Sequence, residues 1–595
     1  MQIGLGIGIP FTKSQVWLAV QAVFTPAKLF DSGANGLWLD PGDLTTMFQD
    51  STGTTPVTAV EQPVGLILDK SKGLVLGPEL VTNGNFSNGT TGWSGQANVT
   101  ISTENGELKG VTSSSSSTFA YQDEVTVSGK WYKATATLRC ASGDMRLEIY
   151  NGAFATKLAG AILTTPTANT QISIYFVATG TSTRISFGTT TSAATTYYAD
   201  NISVRELSGN HAFQSTSANR PTLSARYNLL TKTEQFDDAA WTKQSGTVIS
   251  PTKVTAPDGS LTAFSIVGNG TSGILQAVAG SVSLGETTRA VYLRVTAGTA
   301  TVGIKDPART QGTTTCNLTT VWQRFSLTET TAPSAGFAGG IWVFNIPATG
   351  IEMAWPDFRS SNQSSLPYQR VNTATDYDSD QTKFPWYLKF NGTSSSMQSA
   401  SINFTATDKM FVSAGVRRNS AHDGLIVENS VASWQYSGAF GLGSIAAGGF
   451  FTGLSGTTKG GFGTYAKTAP STDVATAIFD ISSVAQADES KLRINTIGVV
   501  QNFVSPAAGT GNFSNYPLYI GARGGTSLFF NGYLYQLVIA GKQASAEEID
   551  STENYIELKT FGKDMSYVYD YLVDSTGNQI TDSAGNPIYV TTTYQ

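Results

Sequence analysis

Apolar and polar residues alternate with a period of two along most of the chain, the signature of strands that bury one face. Tyr132-Lys-Ala-Thr-Ala-Thr-Leu-Arg139, Arg289-Ala-Val-Tyr-Leu-Arg-Val295 and Gly532-Tyr-Leu-Tyr-Gln-Leu-Val-Ile-Ala540 are the plainest such runs. The pattern turns helical after the last of them. There Ser545-Ala-Glu-Glu548 forms a capping box, a short helix runs through Ile549, Ile556 and Leu558, and Gly562 supplies a stop. Two turn signals, Asp574-Ser-Thr-Gly-Asn578 and Asp582-Ser-Ala-Gly-Asn-Pro587, predict a β-hairpin tail over 563–595.

Two long segments follow one plan. The first opens Glu79-Leu-Val-Thr-Asn-Gly-Asn-Phe86, reaches Trp93 and closes with Tyr197-Tyr-Ala-Asp-Asn-Ile-Ser-Val-Arg205. The second opens Tyr227-Asn-Leu-Leu-Thr-Lys-Thr-Glu-Gln-Phe236, reaches Trp241 and closes with Ile351-Glu-Met-Ala-Trp355-Pro-Asp-Phe358. Each has the size of one β-sandwich.

At 595 residues the chain exceeds one domain and allows about four. Charged residues make up 13%, about half the usual share, and uncharged polar residues with 61 Gly replace them. That mixture favours strands and turns, so the fold class expected is all-β and multidomain. With 37 basic against 43 acidic residues and no basic run, nucleic acid is not an expected partner. Two His and two Cys cannot build a Cys/His zinc site or a disulfide framework, and no cofactor or metal is expected. The N-terminus has no basic residue before Lys13, and its apolar stretch 16–24 is too short to span a bilayer. Neither a signal peptide nor membrane insertion is expected; residues 1–35 read as a segment that docks on another subunit.

The motifs resemble known families. Trp386-Tyr-Leu-Lys-Phe-Asn-Gly-Thr-Ser-Ser-Ser-Met397 and the region 518–562 are similar to the early strand and the ending of a laminin-G-like, concanavalin-A-type jelly roll. Asn391 and Ser395 stand where that family often has Asp, which removes two acids that would hold calcium. In bacteriophage proteins of this type, a segment like Gly36-Leu-Trp-Leu-Asp-Pro-Gly-Asp43 runs through "PVG…D.S" straight into "GNHA.Q…RP". Here Pro63-Val-Gly-Leu-Ile-Leu-Asp-Lys-Ser71 and Gly209-Asn-His-Ala-Phe-Gln214 are about 137 residues apart, and the first repeat lies between them. The second repeat likewise separates Pro221 from Trp386. The resemblance therefore implies one discontinuous jelly roll over 36–72, 209–225 and 383–562, with sandwiches inserted over 73–208 and 226–382. Both inserts resemble carbohydrate-binding modules, and the opening of the second is familiar from phage tail and head-fibre proteins.

Such modules stack sugar rings on exposed aromatics and hydrogen-bond the hydroxyls with polar side chains. The positions expected to do this are Trp93 and Trp241, which hold comparable places in the repeats, and Trp434 with Tyr436 between Ser and Gly residues. The competing reading is that each Trp plugs a core. His211 reads as structural, and Asp376, Asp378 and Asp380 as a solvated linker. The close acid pairs, Asp123 with Glu124 and Glu104 with Glu107, are the available carboxylates for glycoside cleavage. No long β-helix repeat of a depolymerising spike is present, and the chain reads as a non-enzyme. The function expected is that of a phage fibre or spike subunit on the virion surface. It would bind host glycan, contact other virion proteins through its N-terminal segment and form a homo-oligomer, such as a trimer. The alternatives are a purely architectural capsid or tail decoration and a glycan-degrading tailspike enzyme.

Overall fold

Gly36–Leu39 pairs antiparallel with Asn531–Ala540, setting Trp38 opposite Val538 across nearly the whole sequence. Ala212–Phe213 joins Leu66–Ile67 on one side and Met397–Asn403 on the other. Thr222–Ser224 pairs with Tyr387–Asn391, which in turn pairs with Asn531–Ala540. In this computed structural model three separated segments thus share a seven-stranded and a ten-stranded sheet. Leu37, Ile67, Leu223, Phe390, Phe440 and Leu537 fill the core between them. The architecture is all-β, a jelly roll interrupted twice by inserted sandwiches. The structure describes residues 24–562 apart from 114–117, 191–193, 280–285, 310–311, 331–336, 361–362, 365, 458–461, 496–501 and 505–506, together with 568–571 and 589–592.

The first insert stacks a five-stranded sheet, centred on Met145–Asn151 and Ser182–Thr189, against a six-stranded one. The chain enters and leaves it side by side, Leu76 lying opposite Leu207. The second insert consists of two five-stranded sheets. One lock serves both. In the first, the Thr82 amide donates to Gln122 Oε1 at 2.7 Å and Gln122 Nε2 returns a bond to the Thr82 carbonyl at 3.0 Å. In the second, Thr231 and Gln276 exchange the same two bonds at 2.7 and 2.8 Å. The residue after each Thr is left-handed, Asn83 at φ 54 and Lys232 at φ 54, and its carbonyl accepts from the indole of Trp93 or Trp241.

The helix Ala546–Phe561 begins at the capping box of Ser545 and Glu548 and ends at left-handed Gly562. It lies on the outer face of the seven-stranded sheet, where Gly415 leaves room for it: a Cβ there would stand 2.1 Å from Thr560 Oγ1. Leu29 and Phe30 share that face with Trp38, Phe411 and Ile556. Within the segment 1–35, the apolar residues Leu29 and Phe30 thus find their packing partners in the same chain. Residues 1–23, the larger part of the segment expected to dock on another subunit, lie outside the described residues. In a separate unit Val568–Tyr571 pairs antiparallel with Tyr589–Thr592; the two turn signals between them lie outside the described residues.

His211 is fully buried, and its Nδ1 accepts from the Asp69 amide at 2.9 Å. It packs on Trp131, which sits between the first sandwich and the jelly roll rather than inside its own sandwich. Asn391 Oδ1 accepts from the amides of Thr393, Ser394 and Ser395, so it shapes a turn. Both cysteines are free and buried.

Candidate functional site

Strand alternation gives the first sandwich's five-stranded sheet an inner and an outer face. Gln122, Leu147, Ile185 and Phe187 point inward. Tyr121, Asp123, Arg184, Ser186, Glu148 and Tyr150 occupy the alternate positions and meet on the outer face, where Arg184 stands opposite both Asp123 and Tyr150. The Arg184 guanidinium donates through Nε and Nη2 to the two oxygens of Asp123, at 2.7 and 2.6 Å. Its plane lies 3.9 Å from the Tyr121 ring centroid and 4.6 Å from that of Phe154. The bond from Asp123 holds Arg184 above its ordinary pKa. A two-point planar ion pair over an aromatic fixes orientation as well as charge.

Phe154 comes from the loop between two strands and folds back onto the sheet. It stacks on Phe119 at 5.6 Å and meets Tyr121 and Tyr150 edge-on at 5.4 and 5.0 Å. Its φ of 58 is a conformation that a bulky residue adopts only where its surroundings impose it. Arg146 lies over Phe119 at 4.1 Å. Tyr150 donates its hydroxyl to Glu148 at 2.5 Å, and burial together with that carboxylate pushes the phenol up to about 12. Lys157 reaches Glu148 from the edge strand at 3.4 Å. Half of the Asp123 side chain is open to solvent, whereas Arg184 beneath the rings is nearly covered. The face therefore joins flat apolar rings to rigid donors and acceptors. Such a combination is chemically suited to a ring with a hydrophobic face and hydroxyl edges.

Trp93 and Trp241 are not part of any such face. They are 7% and 1% exposed, packed on Phe86 and Phe187 in one core and on Phe236 in the other. An indole with both faces covered cannot stack on a sugar, so the sugar-binding expectation for them is corrected in favour of a core role. Trp434 lies flat on the jelly roll, where a Cβ on Gly453 would stand 2.5 Å from its ring, and it is 9% exposed. Tyr436 alone of that pair is open, at 50%.

The acid pairs are built for other work. Asp123 and Glu124 project to opposite faces of their strand and do not face across one bond. Glu124 is buried, and desolvation with the neighbouring Glu79 and Asp123 pushes its carboxyl up to about 8. Glu104 accepts from Lys109 at 2.6 Å and from the Tyr198 hydroxyl at 2.9 Å, and stays below the ordinary carboxylate value. Burial pushes the Glu107 carboxyl up, but bonds from Arg139 and Asn169 outweigh it and hold the group low. Among the described residues no group of three or more His, Cys, Asp or Glu is placed to hold a metal ion. Between the first sandwich and a jelly-roll loop lies a groove of about 330 Å³ lined by Thr54, Thr55, Ile162 and Gln171.

The outer face was missed by sequence reasoning because its residues come from four segments. The only local signal was the alternation Phe119-Ala-Tyr121-Gln-Asp123, which does not say which side faces the core.

No family model and no curated protein matches the chain. Among solved structures, it is similar to the tandem CBM22-1–CBM22-2 domain of Paenibacillus barcinonensis Xyn10C. That match has 12% identity, covers 48% of this chain and 98% of that one, and has a TM-score of 0.25. A structure described as CBM4 is similar at 14% identity over 21% of this chain and 99% of that one, with a TM-score of 0.20. The enzymatically active domain of bacteriophage CBA120 tailspike protein 4 is similar at 14% identity over 22% of this chain and 21% of that one, with a TM-score of 0.19.

Proposed function

We propose that the chain is an attachment protein of a virus particle that holds a host-surface saccharide on the outer face of its first sandwich without cleaving it. The observation that carries this reading is Arg184, clamped by Asp123 and flanked by Tyr121 and Phe154. The rings offer faces to the C–H side of a sugar, while Asp123, Glu148 and Lys157 offer hydrogen-bond partners to its hydroxyls. The acids there are committed to Arg184, Tyr150 and Lys157, which suits binding better than proton transfer.

The particle setting is supported by the split segment around Trp38, Asp69 and His211, which resembles bacteriophage proteins and here closes the jelly roll. One such face binds weakly. Many copies on a particle, as a homo-oligomer would supply, turn weak sites into firm attachment through effective concentration.

A glycan array probed with the full chain tests the reading. Retention on a defined set of saccharides is expected. Retention on none, at a protein concentration where a known weak lectin is held, would leave the architectural role in its place. Release of reducing ends from a bound glycan would make the protein a hydrolase instead.

A further inference from the structure

The second sandwich repeats the strand register of the first but carries different chemistry on the corresponding outer face. Gln122 stands opposite Ile185 in one, and Gln276 opposite Ile341 in the other, each holding its opening-strand Thr. One step along from that shared pair, the row Glu148, Ser186, Tyr121 becomes Lys305, Trp342, Leu275. One step the other way, Arg184 and Asp123 become Gly340 and Ala277. The acids of the first face are gone, and a lysine has taken the place of Glu148.

Glycines make room for the aromatics here, and Trp342 meets Phe344 edge-on at 5.9 Å. Phe344 is flanked by Gly273 and Gly303, and a Cβ on Gly303 would stand 2.2 Å from its ring. A Cβ on Gly273 would stand 2.8 Å from Trp342 Nε1. Lys305 Nζ sits 3.8 Å from the Trp342 ring centroid and 5.2 Å from that of Phe344. Among the described residues no carboxylate pairs with Lys305. Among the described residues two polar atoms next to Gly273 also lack partners, the donor Trp342 Nε1 and the acceptor Gln244 Oε1; the Gln244 backbone amide donates to the Gly273 carbonyl at 3.0 Å. Polar atoms left unpaired at such depth are unusual in a folded protein.

We infer that this face is a second binding site, and that it takes an acidic saccharide. The uronate carboxylate pairs with Lys305, and the ring lies against Phe344 and Trp342. A cation above an indole with no carboxylate paired to it among the described residues is a poor site for a second cation and a good one for an anion. The site shares no side chain with the face around Arg184 and stands or falls separately from it.

The test is calorimetric titration of the full chain with trigalacturonate, with maltotriose as the uncharged comparison. Trigalacturonate should bind, more weakly as salt rises, and maltotriose should bind at least about tenfold less tightly. Lys305→Met, which keeps the stem over Trp342, should lose about tenfold in affinity for trigalacturonate, and Lys305→Arg should recover most of it. Melting curves confirm that both variants fold. Equal trigalacturonate affinity in wild type and Lys305→Met, or absence of any heat at millimolar ligand, overturns the site and leaves the first face to its own array.

Discussion

The indole Nε1 of Trp38 donates to Oε1 of Gln536 at 3.1 Å, joining residues 498 apart in sequence. Gln536 Nε2 continues the chain of bonds to Asp40, and the Trp38 amide donates to Asp69. The first strand of the jelly roll is thereby fastened to its last. Trp38→Phe keeps most of the packing but orphans Gln536 Oε1, and should cost about 1–3 kcal/mol in chemical denaturation. A change below measurement error would mean that the junction contributes nothing to closure.

The repeat plan was legible because its parts are local. Thr82, Phe86 and Trp93 answer to Thr231, Phe236 and Trp241 over a dozen residues, and the helix is announced by Ser545, Glu548 and Gly562. The interruption was legible because segments that belong together could be seen apart. The candidate face was not, since Asp123 meets Arg184 only through a register set 61 residues away. Exposure was misjudged for a related reason: glycines at 441 and 453 let Trp434 sink onto its sheet, and single residues do not announce such a trench.

Trp241 fills the second sandwich's core while its Nε1 donates to the Lys232 carbonyl at 2.8 Å. Trp241→Ala should destabilise that sandwich by about 3–5 kcal/mol. Limited proteolysis should then cut within 226–382 and spare the jelly roll.

Arg289 is fully buried, donating to Asp306 at 2.7 Å, to Glu329 and to the Gly340 carbonyl at 2.7 Å. Arg289→Met leaves two buried carboxylates with Arg309 as the remaining nearby cation. A loss of about 3–5 kcal/mol is expected in urea unfolding. A variant as stable as wild type would show that the network is replaceable by apolar packing.

Glu124 is held neutral by burial, and its carboxyl stands at about 8 against the ordinary 4.5. The unfolded chain releases this proton from about pH 4.5 upward while the folded chain retains it. Stability is therefore fully present below 4.5 and is lost as pH rises toward 8, by no more than about 1 kcal/mol per pH unit after screening. Glu124→Gln removes the ionisation. Its melting temperature should exceed that of wild type by a margin that grows from pH 5 to pH 8 and then levels; parallel curves would refute the assignment.

The most direct test of the attachment reading is a saccharide array read side by side with wild type, Asp123→Asn and Arg184→Met. Asp123→Asn frees the Arg184 clamp, and Arg184→Met removes the plane over Tyr121 while preserving the stem. Both variants are expected to fold and to lose at least about tenfold in signal on every saccharide that wild type retains through its first sandwich. Undiminished binding by both folded variants would contradict the attachment reading.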